Sequence, residues 1–240
     1  MKISLIGYGK MGKEIEKLCI EKNHNIYSIA DPAMNTGLDV LKGTDLAIEF
    51  TEPKSAVKNI RYCIDHGIPV VSGTTGWQQE LDQVKSYCLE KNGSFFYSSN
   101  FSIGVNLFWK VSRLLARVMD GQESYSLGLH EIHHDQKKDA PSGTAVTLAQ
   151  HMLKESSRFK DWHQVEAFTH ALRESIPVSS ERTGQVPGTH IVEYRSRHDR
   201  IVLSHEAFSR GGFVEGVVAV AEWLHGRKGV FGMNDFFDQE

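Results

Sequence analysis

Through residue 100 the chain alternates short apolar runs with longer mixed stretches. The apolar runs at residues 3–6, 25–30, 46–50, 69–72 and 94–98 are nearly continuous rather than alternating. That is the pattern of parallel strands covered on both faces. The stretches between them, 10–21, 53–66 and 78–91, predict helices. Pro53 suits the first turn of its helix, where a missing N–H leaves no bond unmade. Strand and helix in this rhythm imply a doubly wound parallel sheet.

After Asn100 the rhythm changes. Residues 104–119 read as an amphipathic helix, and 124–134 as a strand ending in a polar cluster. A second helix starts near Pro141. Residues 189–197 and 201–209 are β-rich runs joined by His198-Asp199-Arg200, a hairpin pattern. Strands without crossover helices predict an antiparallel or mixed sheet, hence an α+β second domain. Residues 213–225 are helical again, and a chain finishing this way is expected to return to its first domain. The division expected is 1–101 with 212–240, and 102–211. No internal repeat or low-complexity segment interrupts it.

The net charge of −3 gives no electrostatic reason to bind nucleic acid or an anionic membrane. No apolar run approaches the ~18 residues of a membrane helix, and the N-terminus lacks a signal-peptide pattern. Cys19, Cys63 and Cys88 have no metal or redox spacing and read as buried free thiols, so a cytoplasmic setting is expected.

Two stretches carry chemistry. Gly7-Tyr8-Gly9-Lys10-Met11-Gly12 fits G-x-G-x-x-G between a strand and a helix. Gly7 permits the turn, Gly9 the approach of a pyrophosphate, and Gly12 close helix–strand packing. Asp31, about twenty residues on, is placed for the ribose hydroxyls of a dinucleotide. Its charge favours NADH over NADPH, although Lys10 offsets part of the repulsion toward a 2′-phosphate. Gly73-Thr74-Thr75-Gly76 and Ser98-Ser99-Asn100-Phe101 follow later strands and are candidates for the nicotinamide side.

The second stretch runs from Glu131 to Ala145. His133 and His134 can exchange a proton near neutral pH. Lys137 can pair with a carboxylate, and the N–H groups of Gly143 and Thr144, at a helix start, can hold another. The combination suits a small dianion that needs a proton. A histidine pair also raises metal binding, but no third ligand appears at a metal-site spacing, so none is expected.

The run His133-His134-Asp135-Gln136-Lys137-Lys138-Asp139-Ala140-Pro141-Ser142-Gly143-Thr144-Ala145 resembles the signature H-H-x-x-K-x-D-A-P-S-G-T-A of the dihydrodipicolinate reductase family. Other matches follow in order: the glycine loop, Glu49-Phe50-Thr51-Glu52-Pro53 with Glu for the usual Asp, Gly73–Gly76, residues 100–106 and Ser209-Arg210. Ser98-Ser99 replaces a more usual Ala or Pro. The resemblance implies a Rossmann-like cofactor domain and a substrate domain that assembles a homotetramer through its sheet. It implies NAD(P)H-dependent reduction of 4-hydroxy-tetrahydrodipicolinate to tetrahydrodipicolinate, on the diaminopimelate route to lysine. His133 is then the general acid and Lys137 a catalytic and charge-recognising partner. His134, Gly143, Thr144 and Arg210 bind substrate, while Glu49 lies away from the reaction. A reductase of another small acid and a non-catalytic dinucleotide sensor are the alternatives, separated from this reading by which acids the protein turns over.

Overall fold

The computed structural model describes residues 1–238. In chain order the elements are β1 (Lys2–Ile6), α1 (Lys10–Glu21), β2 (Asn25–Ala30), β3 (Leu46–Glu49), α2 (Pro53–Asp65), β4 (Val70–Ser72), α3 (Leu81–Glu90) and β5 (Ser94–Tyr97). Then come α4 (Ile103–Met119), β6 (Ser126–His133), α5 (Gly143–Leu153), β7 (Phe159–Val165), β8 (Glu174–Arg182), β9 (Gly188–Arg195) and β10 (Arg200–Ala207). The chain ends with α6 (Gly211–Leu224), β11 (Gly229–Phe231) and α7 (Met233–Phe237). Two compact units result: Met1–Ser102 with the segment from Phe213 onward, and Ile103–Gly212.

The first unit holds a six-stranded parallel sheet in the order β11-β5-β4-β3-β1-β2. The central strands β1, β3, β4 and β5 are buried on both faces, whereas the edge strand β2 leaves Asn25 and Tyr27 exposed. On one side Ile3, Leu5 and Ile48 pack with Ile15 of α1 and with Val214, Val217 and Val218 of α6. On the other, Ile6, Ala47 and Val70 pack with Ile60 of α2 and Val84 of α3. Gly216 lets α6 lie close, because a Cβ there would sit 1.8 Å from the Phe101 carbonyl oxygen. Pro69 has no N–H for the ladder, so β4 starts one residue later than its apolar run, though the Pro69 carbonyl still accepts from Ala47 N–H at 2.8 Å. Cys19, Cys63 and Cys88 are buried free thiols.

The second unit holds a five-stranded mixed sheet, β10-β9-β6-β8-β7. β6 pairs antiparallel with β9 and parallel with β8. Leu127, Leu129, Val178 and Val192 face a layer made by Phe108 and Trp109 of α4 and Leu148 and Met152 of α5. The hairpin turn closes earlier than its sequence suggests. Ser196 Oγ accepts from the N–H groups of His198 and Asp199, and Arg200 already pairs with Arg195 in the ladder. β7, β8, β11 and α7 are elements the hydrophobic pattern does not predict.

Histidines are built into this second core. His190 is 4% exposed, His151 meets the Trp109 ring edge-on, and His205 lies beside Phe108. Burial pushes all three imidazoles down, His190 to about 3 with added repulsion from His133. Folded, His190 stays neutral, and His151 and His205 take up a proton less readily than in the unfolded chain, whose imidazoles protonate below about 6.5. The unfolded state therefore binds more protons, and stability is lost as pH falls from about 6.5. We expect the urea midpoint to be lower at pH 5.5 than at pH 7.5, with His190 alone contributing about 1 kcal/mol. Denaturation curves that coincide at the two pH values contradict this.

Candidate active site

Because the first sheet is parallel, the C-terminal ends of its strands share one edge, where open α/β sheets bind ligands. Gly7 ends β1 with φ +91°, and a Cβ there would lie 2.1 Å from the Phe50 carbonyl oxygen. A Cβ on Gly12 would lie 2.5 Å from the Gly7 carbonyl oxygen, so α1 starts hard against the turn. Gly9, the N-cap of α1, differs, since space beside it is open to 4 Å. This is the cradle a pyrophosphate needs, with the first N–H groups of α1 free to face it. Asp31 follows β2, and its carboxylate accepts from Tyr8 N–H at 2.6 Å and Ala33 N–H at 2.8 Å. A cavity of about 480 Å³ is lined by Gly7, Gly9, Asp31, Phe50, Thr51 and Lys58, among others. These residues fit a dinucleotide. Lys10 is exposed at the start of α1, and Met11 is half-buried behind it.

The next two loops are tied to a residue that the sequence leaves without a role. Glu49 is fully buried at the end of β3. Its carboxylate accepts from Ser72 Oγ at 2.6 Å, Thr74 Oγ1 at 2.9 Å, Thr51 N–H at 3.2 Å and Thr51 Oγ1. Thr74 Oγ1 in turn accepts from Thr51 N–H at 2.8 Å. The buried carboxyl thus stitches the loop after β3 to the loop after β4. Gly73 packs against the Phe50 ring, where a Cβ would meet it at 2.2 Å, while Thr75 is exposed. After β5, Ser98 Oγ donates to the Asn100 carbonyl at 2.7 Å, Ser99 is exposed, and Phe101 is buried 6.0 Å from the Phe50 ring.

In the second unit the strand period puts Glu131 and His133 on one face of β6, both buried. Glu131 is again fully buried. Its Oε1 accepts from Arg182 Nη2 and from Ser142 N–H, each at 2.9 Å. Its Oε2 lies 3.1 Å from His133 Nδ1 and 3.8 Å from His190 Nε2. Burial opposes the charge on Glu131, but His133, Ser142 and Arg182 outweigh it and hold the carboxyl well below its usual range. Ser142 caps α5 by accepting from Ala145 N–H at 3.2 Å, and its Oγ lies 3.3 Å from His190 Nε2. The start of α5 at Gly143 is exposed, and Thr144 is half-buried.

Lys137 pairs with Asp139 at 2.7 Å and holds that carboxyl below its usual range. His134 is half-buried, its carbonyl accepting from Lys137 N–H at 3.1 Å. Arg210 is exposed in the bend before α6 and is not part of the Glu131 cluster. Donor atoms of Glu131, His133 and His190 lie within 4.8 Å of one another, a metal-like gathering. The Arg182 guanidinium places a positive charge 2.9 Å from that carboxylate. Arg182, His190 and Glu131 come from three strands and have no shared sequence motif. The Glu131-x-His133 spacing was the one available signal.

Both halves of the chain resemble known proteins. Residues 1–101 match the family model for the dihydrodipicolinate reductase N-terminus, and residues 104–237 that for its C-terminus. A 4-hydroxy-tetrahydrodipicolinate reductase from Christiangramia forsetii is 44% identical over 236 residues, 98% of this chain and 97% of that one. Another, from Methanoculleus marisnigri, is 37% identical over 196 residues, 81% and 76% of the two chains. A dipicolinate-bound dihydrodipicolinate reductase from Paenisporosarcina sp. TG-14 superposes with a TM-score of 0.80 over 97% of each chain, at 23% identity. An amine dehydrogenase from Mycobacterium smegmatis, 10% identical, shares the fold with a TM-score of 0.59. With both halves of the molecule matched, the chain belongs to the dihydrodipicolinate reductase family.

Proposed function

We propose that this chain reduces 4-hydroxy-tetrahydrodipicolinate to tetrahydrodipicolinate, with His133 as general acid and the start of α5 as a carboxylate site. The observation that carries it is a buried histidine one short loop from a capped, exposed helix start, both tied to Glu131. The 4-hydroxyl leaves as water, and bound nicotinamide would supply the hydride to the unsaturated ring carbon C4. His133 delivers the matching proton to the nitrogen-conjugated system. Gly143 and Thr144 N–H groups hold one substrate carboxylate at the positive end of α5. Lys137 receives the other by exchanging its Asp139 partner for substrate, and His134 and Arg210 add contacts.

NADH is the favoured reductant in this reading. Asp31 stands beside the open Gly9 cradle, and no Lys or Arg follows it before Lys42. Its charge disfavours a 2′-phosphate, while Lys10 and the cavity residue Lys58 leave room for some use of NADPH. The glycine loop, Asp31, Gly73–Thr75 and Ser98–Phe101 carry the cofactor roles. A homotetramer built through the second unit's sheet follows from family resemblance. It is supported by Ile201 and Val202, which lie exposed on the edge strand β10. The buried free thiols favour a reducing cytoplasm.

Two measurements test these roles. His133→Gln is expected to lower kcat by roughly 10²–10⁴ while NADH affinity stays at wild type. Unchanged turnover removes His133 as the acid. Comparing kcat/KM for the two cofactors is expected to favour NADH by roughly tenfold or more, about 1.4 kcal/mol, and Asp31→Ser to narrow that ratio. Equal use of both by the wild type contradicts the role given to Asp31.

A further inference from the structure

The two oxygens of Glu131 do different work. Oε1 is committed to two donors, Arg182 Nη2 and Ser142 N–H. Oε2 has no in-line hydrogen-bond donor among the described residues, and neither does His133 Nδ1, 3.1 Å away. The ring is turned so that the contact is an ion-pair approach short of a straight hydrogen bond. Catalytic contacts of this kind commonly tighten when substrate binds. His190 stands edge-on to the His133 ring with centroids 5.2 Å apart, which limits how far that ring can turn. The other ring nitrogen, Nε2, faces Gly188, where a Cβ would come within 3.0 Å. The side chain missing at 188 is therefore the one that would crowd Nε2.

We infer that Glu131 is the positioning residue of the reaction: it holds the proton of neutral His133 on Nδ1, so that Nε2 is the nitrogen that exchanges a proton with substrate. The inference rests on the reading of His133 as the acid. An ionised carboxylate can only accept, so a proton shared between Oε2 and Nδ1 belongs to Nδ1. Burial leaves His190 neutral near pH 7, so it brings no competing cation to that oxygen. When imidazolium gives up the Nε2 proton, the Nδ1 proton stays facing Glu131, and the ring is ready to be recharged at the same atom. The same carboxylate anchors the residue that caps α5, at Ser142 N–H. One buried charge thereby sets the distance between the acid and the helix start that receives a carboxylate. A purely structural Glu131–Arg182 pair would leave the tautomer of His133 unconstrained.

The direct test uses the unmodified full-length chain labelled with ¹⁵N-histidine, read by long-range ¹H–¹⁵N correlation above the pH of imidazole titration. The His133 signal is assigned by its loss in His133→Gln. The expected result is the Nδ1–H tautomer, and the Nε2–H tautomer overturns the inference. Glu131→Gln supplies the kinetic arm. The new amide oxygen would turn to Arg182 and Ser142 and its N–H to His133 Nδ1, driving the ring proton to Nε2. We expect kcat to fall roughly 10²-fold and KM for the dicarboxylate to rise, with KM for NADH unchanged. A Glu131→Gln enzyme with wild-type kcat overturns the inference. If His133→Gln itself keeps its turnover while the tautomer is as expected, the acid assignment falls, and with it the catalytic meaning of Glu131.

Discussion

A carboxylate removed from water has to be met by donors, and those donors must be held at fixed distances around it. Both units of this protein are organised by that constraint. Glu49 and Glu131 have no measurable exposure, and each sits at or near the C-terminal end of a central strand. Around Glu49 the donors are hydroxyls and a backbone N–H from the end of β4 and the loops after β3 and β4. Around Glu131 the donors are Arg182 and Ser142, from β8 and the α5 cap, while His133 Nδ1 of β6 lies 3.1 Å from the other oxygen. Removing Arg182 from its buried pair with Glu131 is expected to cost about 3–5 kcal/mol, whereas each hydrogen bond to the Glu49 carboxyl contributes about 1–3 kcal/mol.

This division of labour makes chemical sense. A nucleotide is gripped through its phosphates, which need open backbone and a helix end; Gly9 and α1 provide both. A small dianion needs fixed positive partners and a proton source at a set spacing. Lys137, the α5 start and His133 fall within one turn-and-cap segment, and Glu131 ties its two ends together. The buried, neutral His190 braces the cap through Ser142 Oγ and adds no charge of its own.

Much of this was legible in the sequence, and the rest was hidden for identifiable reasons. The glycine loop and the parallel strands announce themselves because buried strands must be apolar throughout and because G-x-G-x-x-G has a steric meaning at each position. The segment from His133 to Thr144 was legible because its residues are neighbours along the chain. Arg182 and His190 were not, since they reach Glu131 only through the pairing of β6 with β8 and β9. β7 escaped because Lys160, Asp161, His163 and Gln164 break any apolar alternation. β11, Gly229–Phe231, is too short to leave a periodic signal. Glu49 was passed over because a conservative acidic position says nothing about burial; only the packed sheet reveals how many donors it collects.

The proposed function requires the segment from Lys137 to Thr144 to receive a planar dicarboxylate. Calorimetric titration of dipicolinate into the NADH-loaded wild-type chain and into Lys137→Ala tests it directly. We expect Kd to rise roughly tenfold or more in the variant, the worth of one charged hydrogen bond, while NADH binds both proteins equally. Equal dipicolinate affinity in the two proteins would contradict it.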